Sequence, residues 1–112
     1  MRDNGILKWP LSHLPFTPLV QDLILIPPGQ MGGNHKHPRK EFLFSLTDGL
    51  VFFWQDEKGF LRSHPLRENE NFFLIEILPF TPHALKNVTD SIHIVFEGAD
   101  GLQINVERAE II

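Results

Sequence analysis

The sequence predicts an all-β fold of the antiparallel sandwich or barrel type. Nine prolines and eight glycines are spread through 112 residues, and no twelve-residue stretch combines capping residues with a helical apolar repeat, so long helices are not expected. Instead, eight short runs rich in valine, isoleucine, phenylalanine and leucine recur between turn signals. Runs of this length and spacing are typical of a sandwich or barrel.

The expected strands follow one another along most of the chain. Asp-Gly in residues 47–49 and the glycine of residues 56–59 provide the positive φ that hairpin loops need, so the flanking strands are expected to pair. Residues 98–101 are a third hairpin signal, leading into a last strand. The expected strands are residues 20–26, 41–46, 50–55, 60–66, 72–77, 83–86, 91–97 and 102–107.

A single domain is expected. The length of 112 residues and the mass of 12.9 kDa match the commonest domain size. A chain of this size buries roughly two thirds of its surface on folding, which is enough for a core without disulfides. Residues 1–19, with Pro10, Pro15 and Pro18, are interpreted as an extended N-terminal arm, and residues 20–112 as one barrel domain.

Composition and charge exclude several functional classes. The absence of cysteine excludes zinc ribbons, thiol nucleophiles and iron–sulfur clusters, leaving histidine and carboxylate as the strong metal ligands. Ten basic and fourteen acidic residues give a net charge of −4 without clustering, which argues against nucleic-acid binding. The longest apolar run is far shorter than the ~20 residues of a membrane span, and the N-terminal residues do not resemble a signal peptide. We therefore expect a cytoplasmic protein with no nucleic-acid or membrane partner.

Three candidate functional residues lie close together in the sequence. His35 and His37 are two residues apart, which in a strand places both imidazoles on one face with Cα atoms about 6.6 Å apart, twice the ~3.3 Å rise. Glu41 is four residues further on and shares that face if the strand stays in phase, so one strand is expected to present all three. His83 begins a later strand and joins them only if the fold brings it close.

This segment resembles the first sequence motif of the cupin family. In that motif a glycine precedes His-x-His, which is followed by a glutamate and a second glycine. The only irregularity is that seven residues rather than six separate the glutamate from the last glycine. The matching residues are Gly29, His35, His37, Glu41 and Gly49.

The second motif of the family is matched less closely. His83 and Asn87 stand at its histidine and asparagine positions, whereas Phe80 replaces the usual glycine and Leu78 the usual proline. The resemblance covers about residues 20–106. It implies an all-β, cupin-type antiparallel β-barrel or jelly roll of about eight to ten strands.

The resemblance also implies one divalent metal ion per chain. Three imidazoles and one carboxylate leave two open positions on a six-coordinate ion, which suits a substrate or ligand rather than a purely structural role. Fe, Mn, Ni, Co and Zn all accept such nitrogen and oxygen ligands. A metal-free descendant of a metal-binding barrel is the alternative. The implied ligands are His35, His37, Glu41 and His83.

Three functions remain open. The first is isomerisation or epimerisation of a small polar substrate such as a sugar or sugar-nucleotide derivative, because the Gly-Gly-Asn-His-Lys-His segment is similar to cupin domains of polysaccharide and deoxysugar pathways. The second is a metal-dependent dioxygenase, and the third a non-catalytic module that binds or senses a small ligand. Because the chain has no tyrosine or cysteine, the candidate catalytic bases are Glu41 and His93, although a structural role is the favoured interpretation of His93.

An apolar row is expected on the outer face of the strand that begins at Glu41. Phe42, Phe44 and Leu46 alternate with the inward positions, and an outward apolar row must be covered. A partner subunit is the expected cover, which predicts a homodimer. The N-terminal arm, folded back over the row, is the alternative.

Three basic residues surround the first motif. Lys36, Arg39 and Lys40 could attract an anionic substrate. The favoured interpretation is that they form a solvated outward face.

Overall fold

The structure is a computed structural model that describes residues 2–3, 6–68 and 71–112. These residues form twelve strands and no helix, and three of the strands contain only two residues. No helix in this part of the chain is long and apolar enough to cross a membrane. The strands are β1 (Arg2–Asp3), β2 (Ile6–Pro10), β3 (Val20–Ile26), β4 (Met31–Lys36), β5 (Glu41–Phe44), β6 (Leu50–Gln55), β7 (Leu61–Pro65), β8 (Arg67–Glu68), β9 (Asn71–Ile77), β10 (His83–Asn87), β11 (His93–Ala99) and β12 (Glu107–Arg108).

The strands form two antiparallel sheets that enclose one core. The seven-stranded sheet has the order β1-β2-β9-β5-β11-β3, with β8 paired to β9, and the five-stranded sheet has the order β12-β4-β10-β6-β7. The sheets are not closed into a continuous barrel, so the architecture is a jelly roll. This confirms the predicted all-β class.

The core lies between the inner faces of the two sheets. Strand β6 shows the alternation clearly, because Leu50, Phe52 and Trp54 are buried while the residues between them are partly exposed. Such alternation places every second side chain on the inner face. The buried apolar cluster is Ile6, Ile26, Leu43, Leu50, Phe52, Trp54, Leu66, Ile75, Ile77, Leu85 and Val95.

Only one of the three predicted hairpins forms. Residues 56–59 join β6 to β7, which pair antiparallel as expected. Residues 47–49 instead carry the chain from β5 in one sheet to β6 in the other, although Gly49 has the expected positive φ of 130°. A turn residue fixes the local backbone, but it does not determine which strands become neighbours.

The last predicted strand, residues 102–107, is wrong. Residues 100–106 form no strand, and Leu102 and Ile104 are exposed. Both edges of β11 are already occupied, by β5 and β3, so no edge remains for a hairpin partner. The chain crosses instead to the other sheet, where β12 pairs with β4.

The segment predicted as an arm contributes to the sheet. Strand β2 pairs with β9, and Ile6 is fully buried in the core. Further along this segment, the ring of Phe16 packs edge-on against Phe42 at 5.3 Å. The N-terminal residues therefore cover part of the apolar outer row, as in the alternative interpretation. The domain boundary at residue 20 stays a prediction.

The rest of the outer row is only partly covered. Phe44 stacks on Phe96 at 4.9 Å, and Leu46 is 50 % exposed. The predicted homodimer through this row stays a prediction.

Candidate metal centre

The structure brings the four implied ligands together, but from more strands than expected. His35 lies on β4 and His37 directly after it, whereas Glu41 begins β5 in the opposite sheet. The prediction that one strand presents all three is therefore wrong, because Pro38 and the residues after it carry the chain across the jelly roll. His83 begins β10 and pairs directly with His35. One ligand atom from each of the four residues lies within 4.8 Å of every other.

A bulge in β4 aims His35 at the cluster. Strand β10 pairs His83 with His35 but Ala84 with Gly33, so Asn34 is the extra residue. Gly33 and Asn34 have φ values of 93° and 56°, a region that glycine and asparagine adopt more easily than other residues. Bulges commonly re-aim a side chain next to a functional site. The eight strands expected from apolar runs do not include residues 31–36, because Gly-Gly-Asn is unfavourable in strands; a strand is expected here only from the spacing of the histidines.

Asn34 also anchors the last residues of the chain. Its Oδ1 accepts hydrogen bonds from the amides of Ile111 and Ile112, at 3.0 and 3.2 Å, and its Nδ2 donates to the Ile112 carbonyl oxygen at 3.2 Å. The Asn34 carbonyl accepts from the Ala109 amide at 2.8 Å. This segment therefore fixes the bulge next to His35.

The turn before His83 keeps a left-handed backbone without glycine. Phe80 has a φ of 63°, and its amide donates to the His37 carbonyl at 2.8 Å. The ring is 59 % exposed. The substitution of the usual glycine therefore leaves the turn intact at the cost of backbone strain, and the turn ties the two histidine segments together.

The hydrogen bonds of two histidines assign their tautomers. His37 Nδ1 lies 3.3 Å from the Arg39 carbonyl oxygen, and His83 Nδ1 lies 2.8 Å from the Thr81 carbonyl oxygen. Because a carbonyl only accepts, each Nδ1 carries the hydrogen, and Nε2 of the neutral ring has a lone pair. Each Nε2 faces Glu41 Oε1, at 2.7 Å for His37 and 3.3 Å for His83.

This arrangement fits a bound cation. His37 Nε2 and Glu41 Oε1 are buried without a hydrogen-bond partner, and their lone pairs repel each other unless a positive charge lies between them. Either a proton or a metal ion supplies that charge. Neutral imidazoles whose Nδ1–H is fixed by a carbonyl are typical of metal-ligating histidines. The residues thus fit a divalent ion.

Arg39 is buried, so its interpretation as part of a solvated face is wrong. Its guanidinium donates to Glu41 Oε2 from Nε at 3.1 Å and from Nη2 at 2.6 Å, and to Glu97 Oε1 at 3.2 Å. Nη1 donates to the Gly101 carbonyl at 3.0 Å. Two carboxylates compensate the buried charge, which orients Glu41 so that Oε1 alone faces the histidines. Lys36, by contrast, lies 3.5 Å from Glu107 at the surface, and Lys40 is exposed.

The site shifts the acidity of three of its groups. Burial, followed by the nearby His83 and His37, lowers the pKa of His35 to about 4. Burial by itself raises the pKa of Glu41, but the contacts with His37 and His83 outweigh it and hold that pKa far below the usual range. Burial and the neighbouring Glu41 raise the pKa of Glu97 to about 8, against the opposing charge of Arg39.

A cavity of about 280 Å³ opens above the cluster between the two sheets. Its walls include His35, His83 and Glu41 together with Glu97 and Asp22. Glu97 is not among the residues predicted from the sequence, because the strand expected at residues 91–97 has apolar residues in both phases. Strand β11 is apolar on both faces, and the inner one contains Val95 and Glu97. The feature that points to Glu97 is that it lies two residues after the buried Val95, and therefore on the same face of the strand.

The structure does not bring His93 to the cavity. Its Nδ1 lies 2.7 Å from the Thr47 hydroxyl and its Nε2 3.0 Å from the Thr89 hydroxyl, and it is not among the residues that line the cavity. Both nitrogens are therefore engaged in structural contacts. A catalytic role for His93 stays a prediction that these contacts do not support.

No protein-family model and no curated protein sequence matches the chain. Solved structures with the same fold are nevertheless found. The capsular polysaccharide assembling protein CapF from Staphylococcus aureus has a TM-score of 0.71 and 16% identity over 99% of this chain and 33% of its own. This chain thus spans about a third of CapF.

Two shorter neighbours are similar over more of their length. A dTDP sugar isomerase from Desulfovibrio desulfuricans G20 has a TM-score of 0.69 and 21% identity, covering 90% of this chain and 71% of its own. QdtA, a sugar 3,4-ketoisomerase from Thermoanaerobacterium thermosaccharolyticum in complex with TDP, has a TM-score of 0.66 and 14% identity, covering 85% of this chain and 69% of its own. At these identities the likeness shows a shared fold.

Proposed function

The chain has the cupin fold, and we propose that it is a metal-dependent isomerase or epimerase acting on the carbonyl of a sugar or sugar-nucleotide derivative. The observation that carries this proposal is the convergence of histidine lone pairs on the buried Oε1 of Glu41, at the base of a cavity large enough for a small substrate. Neighbours that are a dTDP sugar isomerase and a sugar 3,4-ketoisomerase support the reaction class.

Each residue of the cluster has a defined part in the proposal. The four ligands would hold one divalent ion, whose chemistry when bound is to polarise a carbonyl oxygen. Arg39 holds Glu41 Oε2, so that the carboxylate offers one oxygen to the ion. The ligands are His35, His37, Glu41 and His83.

We also propose the ionised form of Glu97 as the group that takes the proton next to the carbonyl. Because burial raises the pKa of Glu97 to about 8, the reaction should speed up as the pH rises towards that value. Glu41, one of the candidates from sequence, has Oε2 bound to Arg39 and Oε1 turned to the histidines. Glu97 lines the same cavity, its side chain is 15 % exposed, and Arg39 fixes its Oε1. A positioned carboxylate within reach of substrate is what general-base catalysis needs.

Metal content tests the first part of the proposal. Elemental analysis of untagged protein should find close to one divalent ion per chain, and His37→Ala or His83→Ala should abolish it, because losing one ligand weakens a four-ligand site by orders of magnitude. His13→Ala is the matched control, since His13 is exposed and lies outside the cluster. Unchanged metal in both ligand variants would remove the site.

Solvent deuterium tests the reaction. With metal-loaded protein and a panel of keto sugars in D₂O, deuterium should appear at the carbon next to the carbonyl. Glu97→Gln should slow this exchange while keeping the metal. If every sugar stays unlabelled while one binds tightly and is returned unchanged, the protein is a binding or sensing module instead.

A further inference from the structure

The walls of the cavity are acidic on one side. Asp22, Glu41 and Glu97 lie on the neighbouring strands β3, β5 and β11 and face the same space. Asp22 and Glu97 are direct cross-strand partners. Of the described residues that line the cavity, the remaining polar ones are His35, His83 and the amides Gln30 and Gln103, and none is lysine or arginine.

Among the described residues, none of the basic side chains around the cluster lines the cavity, and Lys40 is exposed. The guanidinium of Arg39 is bound to two carboxylates and a carbonyl, and Lys36 and Arg108 lie 3.5 and 3.7 Å from Glu107 and Glu110 respectively. Phosphate groups are usually bound by arginine, lysine or a helix N-terminus, and the described residues contain no helix. The cavity therefore offers none of these phosphate-binding elements.

The order of the charges also opposes an anion. The Glu41 carboxylate is almost fully buried, the Glu97 side chain is 15 % exposed, and Asp22 is exposed. The acidic groups thus extend from the exposed rim of the cavity, at Asp22, to its buried end, at Glu41. Acidic groups on three strands therefore face an incoming ligand, and no described lysine or arginine lines the cavity to attract a phosphate.

We infer that the substrate of this site is a small unphosphorylated hydroxy-carbonyl compound, such as a free sugar, rather than a nucleotide-linked or phosphorylated one. This inference rests on the proposed function and narrows its substrate class. The cavity volume of about 280 Å³ agrees, because it lies just below the ~300–1,000 Å³ usual for ligand pockets. A nucleotide-linked sugar adds a base, a ribose and two phosphates to the sugar.

A matched pair of small probes tests the inference. Dihydroxyacetone and dihydroxyacetone phosphate share the hydroxy-carbonyl group and differ only in the phosphate. With Mn²⁺-loaded protein, water-proton relaxation measures how far each probe displaces metal-bound water. NMR measures how much solvent deuterium enters the probe. Dihydroxyacetone phosphate should bind at least about tenfold more weakly than dihydroxyacetone. The reason is that like charges a few ångströms apart in a protein cavity repel each other by at least the free energy of a tenfold change in affinity.

Charge reversal at the mouth sharpens the test. Asp22→Lys should move the affinity ratio towards the phosphate by about tenfold, while Asp90→Lys, an equal charge change at an exposed residue that does not line the cavity, should leave the ratio as it is. Wild-type protein that binds the phosphate as tightly as dihydroxyacetone would overturn the inference and leave the proposed function standing. If neither probe nor any sugar displaces water or gains deuterium, the proposed function fails and the inference fails with it.

Discussion

The two segments that deliver the histidines reach a left-handed backbone in different ways. Before His35, the turn uses Gly33 and Asn34, with φ values of 93° and 56°; before His83 it uses Phe80, with a φ of 63°. At Gly33 the neighbouring strand leaves no room for a side chain, whereas the Phe80 ring projects largely into solvent. The comparison teaches that close packing and the Asn34 hydrogen bonds hold the first segment, whereas the second is held without packing of its left-handed residue, by hydrogen bonds to the backbone.

The largest expected effect is at Gly33. A Cβ atom there would lie 2.9 Å from Ala84 Cα and 2.9 Å from the His83 carbonyl oxygen, and the φ is also unfavourable. Gly33→Ala should therefore lower the free energy of unfolding by about 3 kcal/mol and disturb the proposed metal site. Urea denaturation measures the stability and elemental analysis the metal.

Gly32→Ala is the control for that variant. The adjacent Gly32 has open space where a Cβ would be placed and no positive φ, so the change should cost less than about 1 kcal/mol. If the two substitutions lowered the free energy of unfolding equally, close packing of Gly33 against β10 would not be what holds the first segment.

A smaller effect concerns the pH dependence of the metal-free protein. The pKa of His35 is lowered to about 4 from its ordinary 6.5, so the folded state binds this proton less readily than the unfolded state. The stability that depends on a neutral His35 is complete above pH 6.5 and is lost as the pH falls from about 6.5 to about 4. Because His35 is partly exposed, solvent screens this effect and we expect a loss of about 1–2 kcal/mol.

His35→Gln checks this expectation. Urea denaturation at several pH values should show a shallower decline between pH 6.5 and 4 in the variant than in the wild-type protein. Identical slopes would mean that protonation of His35 is not what destabilises the first segment in acid.

The sequence predicted the grouping of three histidines and a glutamate better than the strands that position them. His35, His37 and Glu41 still lie close together, because the jelly roll brings the end of β4 next to the start of β5. Alternation and turn residues describe local backbone only. They could not show that β5 and β6 belong to different sheets, or that the edges of β11 are both occupied.

The residues around the ligands were harder to predict for a related reason. Arg39 looks solvated in sequence, and its burial becomes favourable only when Glu41 and Glu97, 56 residues apart in sequence, both bind it. Glu97 likewise becomes a cavity residue only through the phase of β11, which its apolar residues do not determine because they occupy both faces. Pairing over such separations is a property of the fold rather than of any segment.

The smallest expected effect compares the two strained residues directly. Phe80→Gly relieves a backbone strain of about 1–2 kcal/mol, and part of this gain is offset by the greater freedom of glycine in the unfolded chain. Because the ring is 59 % exposed, little packing is lost, and we expect a net stabilisation of about 0.5–1 kcal/mol with unchanged metal content. Asn34→Gly relieves a similar strain but removes three side-chain hydrogen bonds to Ile111 and Ile112, so it should destabilise the protein. Thermal unfolding of both variants gives the two signs; if Phe80→Gly also destabilises, the second segment depends on the Phe80 ring and not on its backbone alone.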